Sequence, residues 1–178
     1  VCPSLDRWRA PLETVLGSLG VPHAIESRQR LGATPFGHAL LSLLRYAWLG
    51  GGRRELYAFL RSPYSGLARS AVDFVEGRLR GRAIHTPERV DEETERLREA
   101  PIPILRDLRA AETPLAGVRA LLTAMLRAAY GLDAPPAGET SRLDLRSYDA
   151  ALRLLDELAG WERLADPVGC EDVVAALE

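Results

Sequence analysis

The chain has 178 residues, 47% of them hydrophobic, and a formal net charge of −2, enough for one buried core or two small helical subdomains but not for a multidomain enzyme. That balance lacks the basic excess of a free-standing nucleic-acid binder, so any DNA contact must be local or shared with other domains. All 23 basic residues are arginine, and without lysine neither a P-loop nor a Schiff base can be built.

Cys2 and Cys170 stand near opposite ends with no second cysteine or histidine at ligand spacing, which argues against a zinc or iron–sulfur site within the chain. Two reduced thiols are expected, because nothing in the sequence suggests secretion. The apolar run Ala39 to Leu44, interrupted by Ser42 and followed by Arg45, is far short of the roughly 20 apolar residues of a membrane span. No signal peptide is visible, and the start "VCPSLDRW" has no methionine. The expectation is a soluble, cytoplasmic fragment of a longer protein, without a membrane partner.

In chain order, Ser4 is a candidate N-cap, and Leu5, Trp8, Leu12, Val15, Leu16 and Leu19 recur at helical spacing up to Gly20. This predicts an amphipathic helix with a break at Pro11. "VPHAIES" predicts a short extended piece, because Pro22 biases Val21 toward β geometry. Thr34 as N-cap and Pro35 at the first helical position then open a helix that ends at Gly50 to Gly52. Its wide stripe of Phe36, Leu40, Leu43, Leu44, Ala47 and Trp48 marks it as the central buried helix.

"RRELYAFLRSP" predicts a short helix with Leu56, Phe59 and Leu60 inward, stopped at Ser62 by the proline that follows. "SGLARSAVDFVEGRLRGR" turns Leu67, Val72, Val75 and Leu79 inward and leaves Arg69, Arg78, Arg80 and Arg82 on or near its outer face. The charge-rich "TPERVDEETERLREAPIP" predicts an exposed helix and then a linker-like break. "LRDLRAAETPLAGVRALLTAMLRAAYGL" resumes the pattern with a stop or kink near Pro114. "DAPPAGETS" is the best loop, and residues 142–165 and 169–178 complete a helical second half. The expected fold is mainly α, a multi-helix bundle-like domain with at most one or two short strands. It is expected to be a single domain over 1–178, with a subdomain break near 99–104 and a flexible loop near 133–141.

Chemistry is sparse. His23, His38 and His85 offer no pair at the i, i+4 spacing of a metal site on a helix. Ser62 and Ser65 lack the G-x-S-x-G elbow of a strand-borne nucleophile and are better explained as serines that satisfy local backbone groups. The acidic stretches "VDEETE" and "CEDVV" read as solvated faces, the first interleaved with Arg89, Arg96 and Arg98. The only basic concentration comprises Arg53, Arg54, Arg69, Arg78, Arg80 and Arg82, near Tyr64. These are the candidate phosphate contacts, solubilising surface being the alternative.

Several segments occur in an order that resembles helicase–nuclease proteins of the AddB and RecB type and UvrD-like superfamily 1 helicases. They are "LGSLGVPHAIESR", "ATPFGHALLSLLRYA", "RRELYAFLRSPYSGL" and "AVDFVEGRLRGR". The residues that carry the likeness are Leu19, Gly20, Val21 and Pro22; Pro35, Leu40, Leu41 and Leu44; Leu60, Arg61, Ser62 and Pro63; and Asp73, Glu76, Leu79 and Arg80. It covers roughly residues 4–84 and rests on packing and turn signals. The resemblance implies a non-catalytic helical accessory region (2B-like) of an ATP-dependent DNA helicase or exonuclease subunit in bacterial double-strand-break repair and recombination. Its implied partners are DNA, the motor domains of the same chain and a sister subunit. Walker motifs, the nuclease motif and a four-cysteine clasp are missing from these residues, so ATP, magnesium and any catalysis would belong to the parent protein. A helical protein-interaction scaffold without DNA contact is the other expectation.

Overall fold

A computed structural model describes residues 5–23, 25, 30–84, 86–99, 102–131, 138–164 and 166–178. Among these the chain is mainly helical, with nine α-helices, two short 3-10 turns and no strand. Two compact units are present, Val1–Arg30 and Leu31–Glu178. No described helix is long and apolar enough to cross a membrane.

In the first unit α1 (Leu5–Ser18) runs unbroken through Pro11, where a break was expected. The proline removes one ladder bond, the one its own nitrogen would donate one turn back. An Arg9–Glu13 ion pair of 2.7 Å spans the same position. The Val21 N–H donates to the Leu16 carbonyl at 2.9 Å and closes the helix end. The expected Ser4 cap lies outside the described residues, as do residues 24, 26 and 27 of the expected extended piece. Its described residues, 21–23 and 25, form no strand.

The second unit is organised by α2 (Pro35–Trp48), as its apolar stripe predicts. α3 (Arg53–Leu60), α6 (Pro103–Arg109), α8 (Glu139–Glu162) and α9 (Cys170–Leu177) all pack against it. Phe36, Leu40, Leu43 and Leu44 are fully buried, and so are Leu41 and Tyr46, which the expected stripe left out. Each large apolar side chain so buried is worth about 1.5–3 kcal/mol relative to exposure.

The start of α2 shows why the chain turns here. The Thr34 hydroxyl accepts from the Gly37 N–H at 3.0 Å and donates to the Leu31 carbonyl at 2.8 Å, so one side chain caps the helix and closes the 3-10 turn Leu31–Ala33. Gly37 is required by this closeness: a β-carbon there would lie 2.0 Å from the Leu31 carbonyl oxygen. The Ser147 hydroxyl of α8 donates to Thr34 at 3.1 Å and fixes α8 against the same corner.

After α3 the 3-10 turn Pro63–Ser65 ends at Gly66, whose left-handed φ of 69° reverses the chain at little steric cost. α4 (Arg69–Gly81) follows, then α5 (Pro87–Arg98). α5 is less exposed than its charge implies, because Val90 and Thr94 are fully buried. The expected break near 99–104 does not separate two cores. Val90 and Leu97 before it and Ile102 and Leu105 after it belong to one apolar cluster, and the Ile102 N–H donates to the Glu95 carboxylate at 3.3 Å. The interruption expected near Pro114 is present: α6 ends at Arg109, and α7 (Pro114–Tyr130) begins anew, with the Thr113 hydroxyl accepting from the Ala116 N–H at 3.2 Å. Of the expected loop near 133–141, residues 133–137 lie outside the described residues, and 139–141 form the first turn of α8.

Candidate nucleic-acid interface

Between α3 and α4 lies an open cleft of about 560 Å³, lined by Arg53, Arg54, Arg61 and Arg80 with Glu76 and Tyr57 among its walls. Arg53 and Arg54 occupy the first two positions of α3. Cations are disfavoured there, because the amide end of the helix dipole is itself positive. Glu55, at the third position, offsets this in part, its carboxylate accepting from the Gly52 N–H at 2.9 Å. The Arg53 guanidinium donates to the Ile84 carbonyl at 3.3 Å, whereas Arg54 is exposed and makes no ion pair among the described residues.

Glu76 organises the opposite wall. Only 4% exposed, it sits on the inner face of α4 beside Val72, Val75 and Leu79. The Arg80 guanidinium donates to its Oε1 at 2.9 Å, and its Oε2 faces Arg61 as an ion pair rather than a directed hydrogen bond. Arg61 also donates to Asp73 at 2.8 Å. A buried carboxylate with two half-exposed guanidinium partners fixes both cations at the rim. Below them Tyr57 shares a hydrogen bond with Thr94 at 3.1 Å. Burial pushes its phenol upward, and the Thr94 bond offsets part of that.

Three of the six arginines singled out by sequence, Arg53, Arg54 and Arg80, therefore share one cleft. The other three do not line it. Arg69 is 80% exposed with a loose 3.8 Å contact to Asp73, Arg82 pairs with Glu93 of α5 at 3.0 Å, and the Arg78 guanidinium lies 5.6 Å from the centre of the Phe74 ring. Helical geometry is the cause: at about 100° per residue Arg78 and Arg82 fall together on the flank of α4 away from the cleft, and Arg69, on the same flank as Arg80, stands about three turns nearer the helix start. Sequence reasoning misses Arg61 and Glu76. An acid inside the apolar stripe Val72, Val75, Leu79 is the signal that could have found the latter.

Tyr64, read in sequence as a neighbour of the basic group, instead faces the core. Its ring meets Phe36 edge-on at 5.2 Å between centroids, and its hydroxyl donates to Asp144 of α8 at 2.7 Å. Tyr130, at the end of α7, donates to the same carboxylate oxygen. Asp144 is 0% exposed, and its Oδ1 has no hydrogen-bond partner. Burial and then the Asp144 carboxylate push the Tyr130 phenol up to about 12 and raise Tyr64 as well. Ser62 and Ser65 behave as expected of helix-end serines. Their hydroxyls donate to the carbonyls of Phe59 at 2.6 Å and Leu60 at 2.7 Å.

His23 and His38 make only local contacts, to the Val21 carbonyl and to Ser42, and His85 lies outside the described residues. Cys170 is a free thiol that burial pushes upward, and Cys2 is outside the described residues. Two acids of α5 form salt bridges, Asp91 with Arg109 and Glu93 with Arg82 and Arg96, and Asp91 also accepts from the Tyr46 hydroxyl. No group of three metal-ligating side chains occurs among the described residues. Comparison with protein-family models, curated proteins and solved structures finds no significant match.

Proposed function

We propose that this chain is a non-catalytic helical module whose α3–α4 cleft meets the phosphates of DNA, within a bacterial ATP-dependent helicase or exonuclease subunit acting in double-strand-break repair and recombination. The observation that carries the reading is Arg53 and Arg54 at the amide end of α3. Two cations stand where the helix dipole disfavours them, and neither is engaged with a carboxylate among the described residues. An arrangement that is locally unfavourable points to use by a partner rather than to stability. Anionic phosphates would relieve it and would also reach Arg61 and Arg80 on the facing wall. The parent-protein part of the reading rests on the ordered resemblance over roughly residues 4–84. ATP, magnesium, unwinding and cleavage would reside in the motor and nuclease parts of such a parent.

The test is fluorescence anisotropy of the chain with labelled oligonucleotides over a salt series. Binding is expected to be weak, on the order of 10 μM at low salt, and to weaken steeply as salt rises. The double change Arg53→Ala/Arg54→Ala is expected to reduce the slope of log affinity against log salt by about 2. Wild-type protein that ignores DNA at low salt, or a double variant that binds like wild type, overturns the reading.

A second reading, a protein-docking scaffold, is favoured by one observation. At the end of α8, Trp161 is 67% and Leu164 87% exposed around an open, apolar recess.

A further inference from the structure

The outer face of α4 carries an arrangement that the cleft does not use. Phe74 is 62% exposed, unlike the aromatic residues Phe36, Tyr46, Tyr57, Phe59 and Tyr64 of the neighbouring elements, which are all buried. Around it, at helical spacing, stand Ser70, Gly77 and Gly81, and a β-carbon added at either glycine would meet nothing within 4 Å. The ring thus stands proud of a bare strip of helix. Arginine charge flanks that strip on both sides, directly on one and beyond a paired acid on the other. Arg78 lies over the ring at 5.6 Å on one side; on the other comes Asp73, neutralised by its ion pairs with Arg61 and Arg69, and then Arg80, which already belongs to the cleft wall.

An exposed aromatic face between cations suits a chain whose bases are free to stack and whose backbone is anionic. In a duplex the bases are already stacked on one another, so their flat faces are not offered to a side chain on the outside. We propose that α4 binds single-stranded DNA, with one base stacked on Phe74 and the adjoining phosphates running past Arg78 on one side or past Arg80 into the α3–α4 cleft. This inference rests on the proposed cleft reading and names its substrate: the single strand rather than the duplex.

The experiment compares a labelled oligothymidine of about 15 nucleotides with a hairpin duplex of similar length. The proteins are wild type, Phe74→Ala, Phe74→Trp and Arg53→Ala/Arg54→Ala. Phe74 is exposed, so its replacement should leave folding intact, which circular dichroism confirms or denies directly. The expected result is a preference of wild type for the single strand, which Phe74→Ala lowers about tenfold without changing the salt slope. Phe74→Trp should retain the preference, and duplex affinity should not move. A 5-iodouracil strand should photo-crosslink to the peptide containing Phe74. Equal wild-type affinity for both nucleic acids, or a Phe74→Ala protein that binds the single strand normally, overturns the stacking proposal and leaves the cleft standing. Unchanged binding by Arg53→Ala/Arg54→Ala instead overturns the cleft reading, so the two failures are told apart.

Discussion

Among the described residues two carboxylates are buried, and they are partnered in opposite ways. Asp144 lies in the core with two tyrosine hydroxyls as its donors and no ion pair among the described residues. Glu76 lies at the edge of a cleft, gripped by Arg61 and Arg80. Neutral donors from the Pro63–Ser65 turn and α7 make Asp144 a bolt that fastens α8 to two other elements. Guanidinium partners make Glu76 a mount whose outer parts still face solvent. The partner type, rather than the buried acid, separates a group that holds the fold from one that arranges charge for something outside it.

The largest expected effect concerns the bolt. Asp144→Ala removes two hydrogen bonds to a charged acceptor and strands two phenols, so unfolding in urea should show a loss of about 3 kcal/mol. DNA affinity measured below the unfolding midpoint should be unchanged. A loss under 1 kcal/mol would mean that the two hydroxyls find other partners.

Next in size is an alkaline effect on the same cluster. A phenol whose folded-state value lies above its free value of 10.0 stabilises the fold fully below pH 10, and that contribution is lost as pH rises through the folded-state value. Tyr130, at about 12, and the still more buried Tyr64 and Tyr46 shift in this direction. Denaturant midpoints should therefore fall between pH 10 and pH 12, and Tyr130→Phe should flatten part of that fall. A midpoint that holds level over this range would contradict the shared Asp144 contact.

Much of the fold is legible in the sequence because its punctuation is local. Thr34–Pro35 and Thr113–Pro114 each place a capping hydroxyl just before a residue with a preset φ, and the helices begin where those pairs say. Pro11 is the exception, since one missing ladder bond is not enough to end α1. The candidate site is less legible because its geometry is not local. Arg80 meets Arg61 through Glu76, across the chain reversal at Gly66. Tyr64 reaches Asp144 across 80 positions of sequence, a pairing that no spacing rule contains. A run of arginines reads as one patch along the chain, yet α4 divides it between two opposite flanks.

The mount has a smaller effect on stability and a distinctive effect on binding. Glu76→Gln should cost only about 1 kcal/mol, because its two arginine partners are half-exposed and can turn to water. The same change frees Arg61 and Arg80 to meet phosphates, so DNA affinity should rise several-fold and the salt slope should steepen by about 1. Weaker binding by Glu76→Gln would show instead that holding the guanidinium groups in place matters more than their freedom. Smallest of all, Arg53→Ala/Arg54→Ala should shift stability by less than about 0.5 kcal/mol, as surface changes do. A loss above about 1 kcal/mol would show instead that the contact of Arg53 with the Ile84 carbonyl holds the fold.

The most direct measurement is amide hydrogen exchange of the chain with and without a saturating single-stranded oligonucleotide at low salt. If the α3–α4 cleft is the interface, slowed exchange should concentrate in residues 52–61 and 69–82 and leave the Trp161–Leu164 end of α8 unaltered. Protection confined to residues 157–164, or absent throughout, would contradict it.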